Sequence, residues 1–561
     1  MFIPRFVSGE LMEIVEIRDL DGPNLFMLTP AIKLELAVVA DDVPQVSTIA
    51  DAFVVGEALP AEITLESADL SRVKVLLAET VNRLHDRCDV ARPNEIVRDM
   101  ETPGHVVVAY AWERRAFAVA LGRLAIDIVL GQVDAAAIED RISQLRDKLA
   151  APPDEDDAPE YIRRSACRVP IVAITGTNGK TTTTRLISSI LMTAGRRVGW
   201  TSSSGVYIQG EERVHGDYTG PSGAASVLND PSVEVAVLET ARGGILLRGI
   251  GYEANDVSVV TNISADHLGT QGVLSVEGLA EVKSLVARVT KPDGFAVLNS
   301  DDPLVLAMRL QVMAKPFLVT RQAEPDEVVT MHIASGGWAL TVADGLIHWH
   351  HDGQDDVLAA LSDVPVTFGG RAGHMVENAL CAAAACLGLG LPLDQVREGL
   401  SAFRPHADQN RGRLNVFDLH GVTVIIDFAH NEAGLRHLLQ FGRSFATAAD
   451  ARLIAIVGTA GDRPDAVFRS IGRMAAEQAD AVVVKDSTRY LRGREPGEMI
   501  ALMREGVAEA QGDSRPSAAS ERAGVEQGID MAKPGDVVAV MCIEDYDEIL
   551  PWLEREGTSI G

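Results

Sequence analysis

Cysteine is scarce in this 561-residue chain: there are five, an odd number, with no C-x-x-C pair among Cys88, Cys167, Cys381, Cys386 and Cys542. That count and spacing argue against a disulfide framework and against a zinc ribbon. Positive charge is also in deficit, with 51 Lys and Arg against 80 Asp and Glu and a net charge of −29. No Lys/Arg run offsets it locally, so nucleic acid and anionic membranes are repelled rather than bound. No apolar run reaches the roughly 18 uncharged residues that a spanning helix needs. The longest candidate, Ala116 to Gly131, is interrupted by Arg123 and Asp127 and predicts a buried helix. The first residues lack a basic stretch followed by a sustained apolar run, so no secretory leader is expected and the cytoplasm is the expected address.

What is present is ordinary globular composition, 47% hydrophobic and 23% charged. The length predicts about three domains. The clearest boundary is A-P-P-D-E-D-D-A-P-E at 151–160, whose three prolines and five acids predict a solvated linker. Before it lies a mixed α/β segment. After it, apolar strand-like runs from Ile171, Val233, Val257 and Phe295 alternate with helical patterns, which predicts a parallel sheet covered on both faces. Residues 326–367 change to short β-like pieces and turns, a small antiparallel insertion. From about Arg411 a second, Rossmann-like α/β unit begins, with strands from Val422, Arg452, Ala481 and Asp536 but no G-x-G-x-x-G loop. No internal repeat is found.

The segment V-P-I-V-A-I-T-G-T-N-G-K-T-T-T-T-R-L from Val169 is the most informative stretch. An apolar strand runs into a Gly/Thr/Asn loop, and Lys-Thr then opens a helix, the arrangement in which backbone N–H groups cradle phosphate oxygens. Lys180 can neutralise β- and γ-phosphates, and the Thr181 hydroxyl can bind Mg²⁺. The general pattern G-x-x-x-x-G-K-[ST] would place its first glycine where Ile174 stands, so this loop is a shorter kind. Glu239 ends the strand V-A-V-L-E, and His267 follows the next strand in N-I-S-A-D-H-L-G. Together they can complete one or two Mg²⁺ sites. Taken alone, each reads first as a helix cap or a locally satisfied imidazole.

The order of the motifs separates these readings. T-G-T-N-G-K-T-T-T-T-R-L, T-G-P-S-G-A (from Thr219), V-L-E-T-A-R-G-G-I-L (from Val237), N-I-S-A-D-H-L-G, K-P-D-G-F-A-V-L-N-S-D-D-P-L-V (from Lys291), G-R-L-N-V-F (from Gly412), I-D-F-A-H-N (from Ile426) and L-R-G-R-E-P-G-E (from Leu491) follow in sequence. With them the chain resembles the Mur ligase superfamily, and within it the ligase portion of the cyanophycin synthetase branch. D-G-P-N at Asp21 and T-P-G-H at Thr102 resemble reduced versions of that branch's N-terminal domain. The resemblance implies an α/β protein with a small N-terminal α/β domain (1–150), the linker (151–166), a central parallel-sheet ATP-binding domain (167–408) and a C-terminal Rossmann-like domain (409–561).

It also implies roles. Thr177, Asn178, Gly179, Lys180, Thr181 and Thr182 would hold the ATP phosphates, and Thr181, Glu239 and His267 would serve Mg²⁺. Lys283 stands where many Mur ligases carry a carbamylated lysine that helps bind a second metal; its alternative is a solvated helix lysine. Asn378 would contact adenine, and Arg413 and Asp427 would reach ATP from the third domain. Lys180, His267, Lys283 and Arg413 would be the catalytic groups. His430, Asn431 and the arginines Arg489, Arg492 and Arg494 would face the substrates, the arginines as bidentate clamps for an amino-acid carboxylate. The implied reaction is ATP-dependent amide-bond formation through an acyl phosphate.

Three departures stand out. The family's D-Y-A-H-N-P is D-F-A-H-N-E here, with Phe428 and Glu432, and its P-G-R is R-G-R, with Arg411. The ATP-grasp domain of cyanophycin synthetase is missing, the linker standing in its place, so synthesis of the Asp/Arg polymer by this chain alone is not expected. A separate ATP-grasp partner and a homo-oligomer stay open. H-W-H-H-D-G from His348 matches no standard zinc spacing. The competing functions are a cell-wall or folyl-polyglutamate type of ligase, and a catalytically silent nucleotide-binding scaffold.

Overall fold

The computed structural model describes residues 12–38, 45–60, 62–153, 155–513 and 515–560. The N-terminal stretch on which the leader expectation rests falls outside them, as does Asp154 of the linker. The chain divides into two compact units: Met1–Ala173 with Thr201–Asn255 and Leu268–Lys291, and Ile174–Trp200 with Asp256–His267 and Pro292–Gly561.

In the first unit an antiparallel sheet has the order Met12–Leu20, Ala31–Val38, His105–Ala111, Glu95–Asp99. Val106, Val108 and Tyr110 on the central strand share a core with Val73, Leu77 and Leu84 of helix Leu70–Arg87 and with Leu121 and Leu124 of helix Arg115–Val129. That period-2 strand face against period-3.6 helix faces is what the apolar spacing requires. Helix Arg115–Val129 carries the Arg123- and Asp127-interrupted run, buried as expected. The same unit holds strand Val235–Glu239 and helices Arg242–Arg248 and Val276–Arg288.

The acidic linker departs from its expected solvation. Glu155–Asp157 forms a 3-10 turn, and Asp157 is buried, accepting the Ala116 N–H at 2.8 Å and pairing with Arg114. Burial opposes its ionisation, but these donors hold the carboxyl below its ordinary pKa. A tertiary partner, invisible to composition, decides the matter.

In the second unit, strand Thr290–Asn299 pairs in parallel with Lys315–Val319, which pairs in parallel with Trp338–Ala343. Leu346–His351 and Gln354–Ala360 then continue the sheet antiparallel, so the expected antiparallel insertion extends the sheet's edge. The histidines of H-W-H-H-D-G lie on the strand before that edge and face carboxylates of the edge strand: His348 Nδ1 is 3.1 Å from Asp355 and His351 Nε2 is 2.9 Å from Asp356. Helices Lys180–Thr193 and Gly373–Gly388 pack together. The C-terminal sheet has the order Ala481–Val484, Leu453–Val457, Val537–Met541, Val422–Asp427, Asn415–Leu419, Thr558–Ile560. Its first four strands are parallel and the last two antiparallel.

This sheet is braced by a desolvated ion pair. Lys485 Nζ lies 2.6 Å from Glu521 Oε1, both side chains being fully buried. Glu521 also accepts the N–H groups of Ile543, Glu544 and Asp545 at 2.7, 2.9 and 2.8 Å. Burial works against the Glu521 charge, but Lys485 and these N–H groups hold its pKa below the ordinary value. Removing one partner strands the other charge in an apolar sheet, so Lys485→Met is expected to destabilise the chain by about 3 kcal/mol or more, read from urea unfolding.

Candidate functional site

Strand Ile171–Thr175 is wholly buried, and the turn after it needs glycine twice. Gly176 and Gly179 have φ of 147° and 85°. A Cβ would meet Thr261 Oγ1 at 1.9 Å in the first case and Asn378 Oδ1 at 2.2 Å in the second. With both glycines the chain enters helix Lys180–Thr193, whose first N–H groups have no intrahelical acceptor and carry the positive end of the dipole. Lys180 is half-buried and its Nζ donates to the Thr177 carbonyl at 2.8 Å. Thr181 and Thr182 are buried. Asn378, also buried, accepts from Thr183 Oγ1 at 3.4 Å, which places it against the back of the loop.

The loop is pinned from the N-I-S segment. The Thr177 N–H donates to the Asn262 carbonyl at 2.8 Å and the Asn178 N–H to Asn262 Oδ1 at 2.9 Å. Thr261 Oγ1 and Asn262 Nδ2 donate to the Asn178 carbonyl at 2.6 and 3.0 Å, and the Ser264 N–H donates to Thr177 Oγ1 at 3.0 Å. Thr177 and Asn178, expected to bind phosphate, therefore commit their backbone N–H groups to shaping the loop. The Asn178 side chain forms a reciprocal amide pair with Asn431, at 3.1 and 3.3 Å. Asn431 is buried and its Oδ1 caps helix Glu432–Arg443 through the Gly434 N–H at 2.8 Å.

Beside this pair is a charged node. Arg463, 7% exposed, donates from Nη1 to Asp266 Oδ1 at 2.7 Å. His430 Nε2 lies 3.7 Å from Asp266 Oδ2, and Thr459 Oγ1 donates to the His430 carbonyl at 2.7 Å. Burial would raise the Asp266 pKa, but His430, Arg463 and His267 together hold it well below the carboxylate range. His267, in a left-handed conformation with φ of 52°, sits 3.6 Å from Asp462. Burial and Arg463 lower its pKa against the pull of Asp266 and Asp462, which favours the neutral imidazole.

Asp427 ends its strand and accepts the Leu414 N–H at 2.8 Å. Burial pushes its carboxyl up, opposed chiefly by Arg413. Arg413 places its guanidinium carbon 4.3 Å from the centre of the Phe428 ring, so the Phe that replaces the family's tyrosine still supplies a cation–π face. Of the three expected carboxylate clamps, Arg494 is already engaged. Its donors reach Gly461 O at 3.0 Å, Arg463 O at 2.8 Å, Asp465 at 2.7 Å and Glu498 at 2.5 Å, so it braces the loop instead of standing open. Arg489, whose side chain is 67% exposed, and Arg492, exposed and stacked over Tyr490, remain accessible. The loop bearing them wraps Glu544, which accepts the N–H groups of Thr488, Arg489 and Tyr490 at 3.0, 3.1 and 3.2 Å.

Glu239 and Lys283 belong to the first unit, Thr181 and His267 to the second. Glu239 is buried along a narrow cleft with Thr219, Gly220 and Gly251. Lys283 is only 4% exposed, which rules out the solvated-lysine alternative. Among the described residues no three His, Cys, Asp or Glu side chains form a metal cluster. Thr181 and Glu239 each carry a hard oxygen donor of the kind that suits Mg²⁺.

Residues 174–386 match the Mur ligase middle domain, and residues 412–542 match the Mur ligase, glutamate ligase domain. The chain belongs to the Mur ligase family. The chain is 40% identical over 380 residues to cyanophycin synthetase of Trichormus variabilis, a match covering 67% of the chain and 41% of that protein. It thus spans about two fifths of the synthetase's length. It is 29% identical to the UDP-N-acetylmuramoyl-L-alanyl-D-glutamate–2,6-diaminopimelate ligase of Geobacter metallireducens, over 68% of the chain and 75% of that protein. Its fold matches Escherichia coli FolC in complex with DHPP and ADP, with a TM-score of 0.51, 20% identity, and coverage of 69% and 89% of the two chains. No helix among the described residues is long and apolar enough to cross a membrane.

Sequence reasoning missed Asn262, Asp266 and Arg463. The signal available for Arg463 was G-T-A-G-D-R-P-D, at the carboxyl end of a parallel strand where such sheets place their ligand groups.

One contact gives a pH dependence. His374 and His437 stack with centroids 5.0 Å apart and planes 5° from parallel. Burial, His437 and Arg321 push His374 down to about 3, and burial, Arg321 and Arg436 push His437 down to about 4. Both titrate near 6.5 when unfolded, so below that pH the unfolded chain takes up protons that the folded chain refuses. This stability is complete above pH ~6.5 and declines as the pH falls toward ~4. His437→Gln is expected to flatten the slope in that window by up to about 1.4 kcal/mol per pH unit, compared with wild type by urea unfolding across the window.

Proposed function

We propose that this chain is an ATP-dependent ligase that joins a carboxylate to an amine through an acyl phosphate and releases ADP. The observation that carries this reading is the meeting of Asn431 with the phosphate loop, and of His430 and Arg463 with Asp266 of the segment that pins it: a nucleotide cradle alone would have no use for a second α/β domain reaching its rim. Support also comes from the synthetase and cell-wall ligase relatives, and from a fold neighbour whose structure holds ADP.

In this reading the amides at the start of helix Lys180–Thr193 and the Lys180 ammonium take the β- and γ-phosphates of ATP, while Thr177 and Asn178 hold the loop's shape. The acceptor carboxylate attacks the γ-phosphate, and Lys180 and Arg413 stabilise charge on the transferring group. Mg²⁺ held by Thr181, Glu239 and His267 would supply further charge neutralisation at the phosphates. Lys283, buried on helix Val276–Arg288, is the position proposed for carbamylation. Asn378 and Asp427 are assigned to the nucleotide, and His430 and Asn431 to the reacting groups. Arg489 and Arg492 would hold the carboxylate of an incoming amino acid, whose amine then displaces phosphate. Exclusion of water on substrate binding would protect the acyl phosphate from hydrolysis. The acceptor is an acidic or peptide-like carboxylate.

The test is to incubate the purified chain with ATP, Mg²⁺ and pools of amino acids and acidic peptides, following ADP and product mass. Amine-dependent ADP formation with a condensation product is expected. Lys180→Ala should lower the rate by at least about 100-fold, the scale of losing one preorganised charge contact to the transition state. Retained turnover in that variant would sink the site assignment, and tight ATP binding without turnover in wild type would support the scaffold.

A further inference from the structure

The family matches begin at residue 174, and neither assigns a role to the domain that precedes it. Two of its contacts with the remainder of the first unit lead to Lys283 and to Glu239.

The first contact lies on helix Val276–Arg288, which carries Lys283. Glu101 accepts the N–H groups of Leu274 and Ser275 at 2.5 and 3.0 Å and also pairs with the Ser275 hydroxyl. Ser275 in turn caps the helix through the Gly278 N–H at 2.9 Å. A carboxylate in this position satisfies orphan amides and lies at the favourable end of the helix dipole. One turn further along, Arg98 grips Glu281 with a two-pronged contact of 2.7 and 3.0 Å. Glu281 precedes Lys283 by two residues. The helix is therefore fixed both at its start and two residues before its buried lysine by residues of one edge strand and the turn after it.

The second contact lies on the segment after Glu239. Asp21, 1% exposed, pairs with Arg115 of its own domain and with Arg248, at 3.1 Å. The Asp21 N–H donates to the Arg248 carbonyl at 2.9 Å, and the Ile250 N–H donates to the Pro23 carbonyl at 2.7 Å. Gly249, Ile250 and Gly251 line the cleft that contains Glu239. The two motifs D-G-P-N and T-P-G-H thus lie at or beside the two contacts.

We propose that the N-terminal domain is a positioning module for the metal side of the site, with Glu101 and Arg98 holding the helix of Lys283 and Asp21 holding the wall of the Glu239 cleft. It rests on the ligase reading only in taking Glu239 and Lys283 as metal-side groups. Glu101 and Arg98 are positioning residues that act through backbone amides and Glu281. Supporting groups of this kind change metal affinity by roughly 10- to 100-fold when lost.

The experiment uses the full chain with ADP and reads free Mn²⁺ by its electron paramagnetic resonance signal. Glu101→Gln and Arg98→Met should each weaken Mn²⁺ binding by about tenfold or more. ADP binding in the presence of a chelator should stay unchanged, and Glu101→Asp and Arg98→Lys should recover most of the loss. Thermal melting of each variant accompanies the titration. Wild-type Mn²⁺ affinity in both Glu101→Gln and Arg98→Met would overturn the proposal, whatever happens to their melting temperatures, because a merely structural role moves only the latter. Failure of wild type to bind Mn²⁺ would overturn it as well. The two readings fail separately: amine-dependent ADP formation with unaltered Mn²⁺ affinity in the variants leaves the ligase and removes the module. Weakened Mn²⁺ binding in a chain that forms no product does the reverse.

Discussion

The ion pair between Arg463 and Asp266 is the contact on which the second unit's site depends. Asp266 belongs to the segment whose Asn262 and Ser264 pin the phosphate loop, and Arg463 follows a parallel strand of the C-terminal sheet. Because both side chains are nearly closed to solvent, the pair is costly to separate and sensitive to geometry. His430 and Thr459 complete it, and the Asn178–Asn431 amide pair runs alongside. Loop shape, helix cap and C-terminal sheet are consequently one connected hydrogen-bonded structure.

The same economy of parts governs the first unit. Arg98, Arg115 and Arg248 are all placed where two elements are held together. Gly472 and Gly506 allow helices Asp465–Gln478 and Glu498–Glu509 to cross with backbones almost touching, since a Cβ at either would lie 1.9 Å from a carbonyl oxygen of the other. Charge is used for placement and small residues for approach.

The buried parallel strands were legible because uninterrupted apolar runs such as I-V-A-I-T and L-I-A-I-V have no other stable use in a chain of this composition. The phosphate loop was legible from its glycine spacing, and the family from the order of its motifs. Asp266 and Arg463 were not, being 197 residues apart with nothing local to join them. The burial of Lys283 was hidden because E-V-K-S reads as an amphipathic helix turn, and its cover comes from elsewhere in the fold. The partners of Arg494 were hidden for a related reason: a run of arginines shows donors but not the acceptors that already occupy them. Composition likewise made Asp157 look solvated, since Arg114 lies outside any local window.

The bond from Lys180 to the Thr177 carbonyl holds the lysine in place before any anion arrives. An ammonium has three N–H donors, so one bond to the loop's own carbonyl aims the group and leaves it able to donate elsewhere. The rotamer freedom of this long side chain is thus lost on folding rather than on binding.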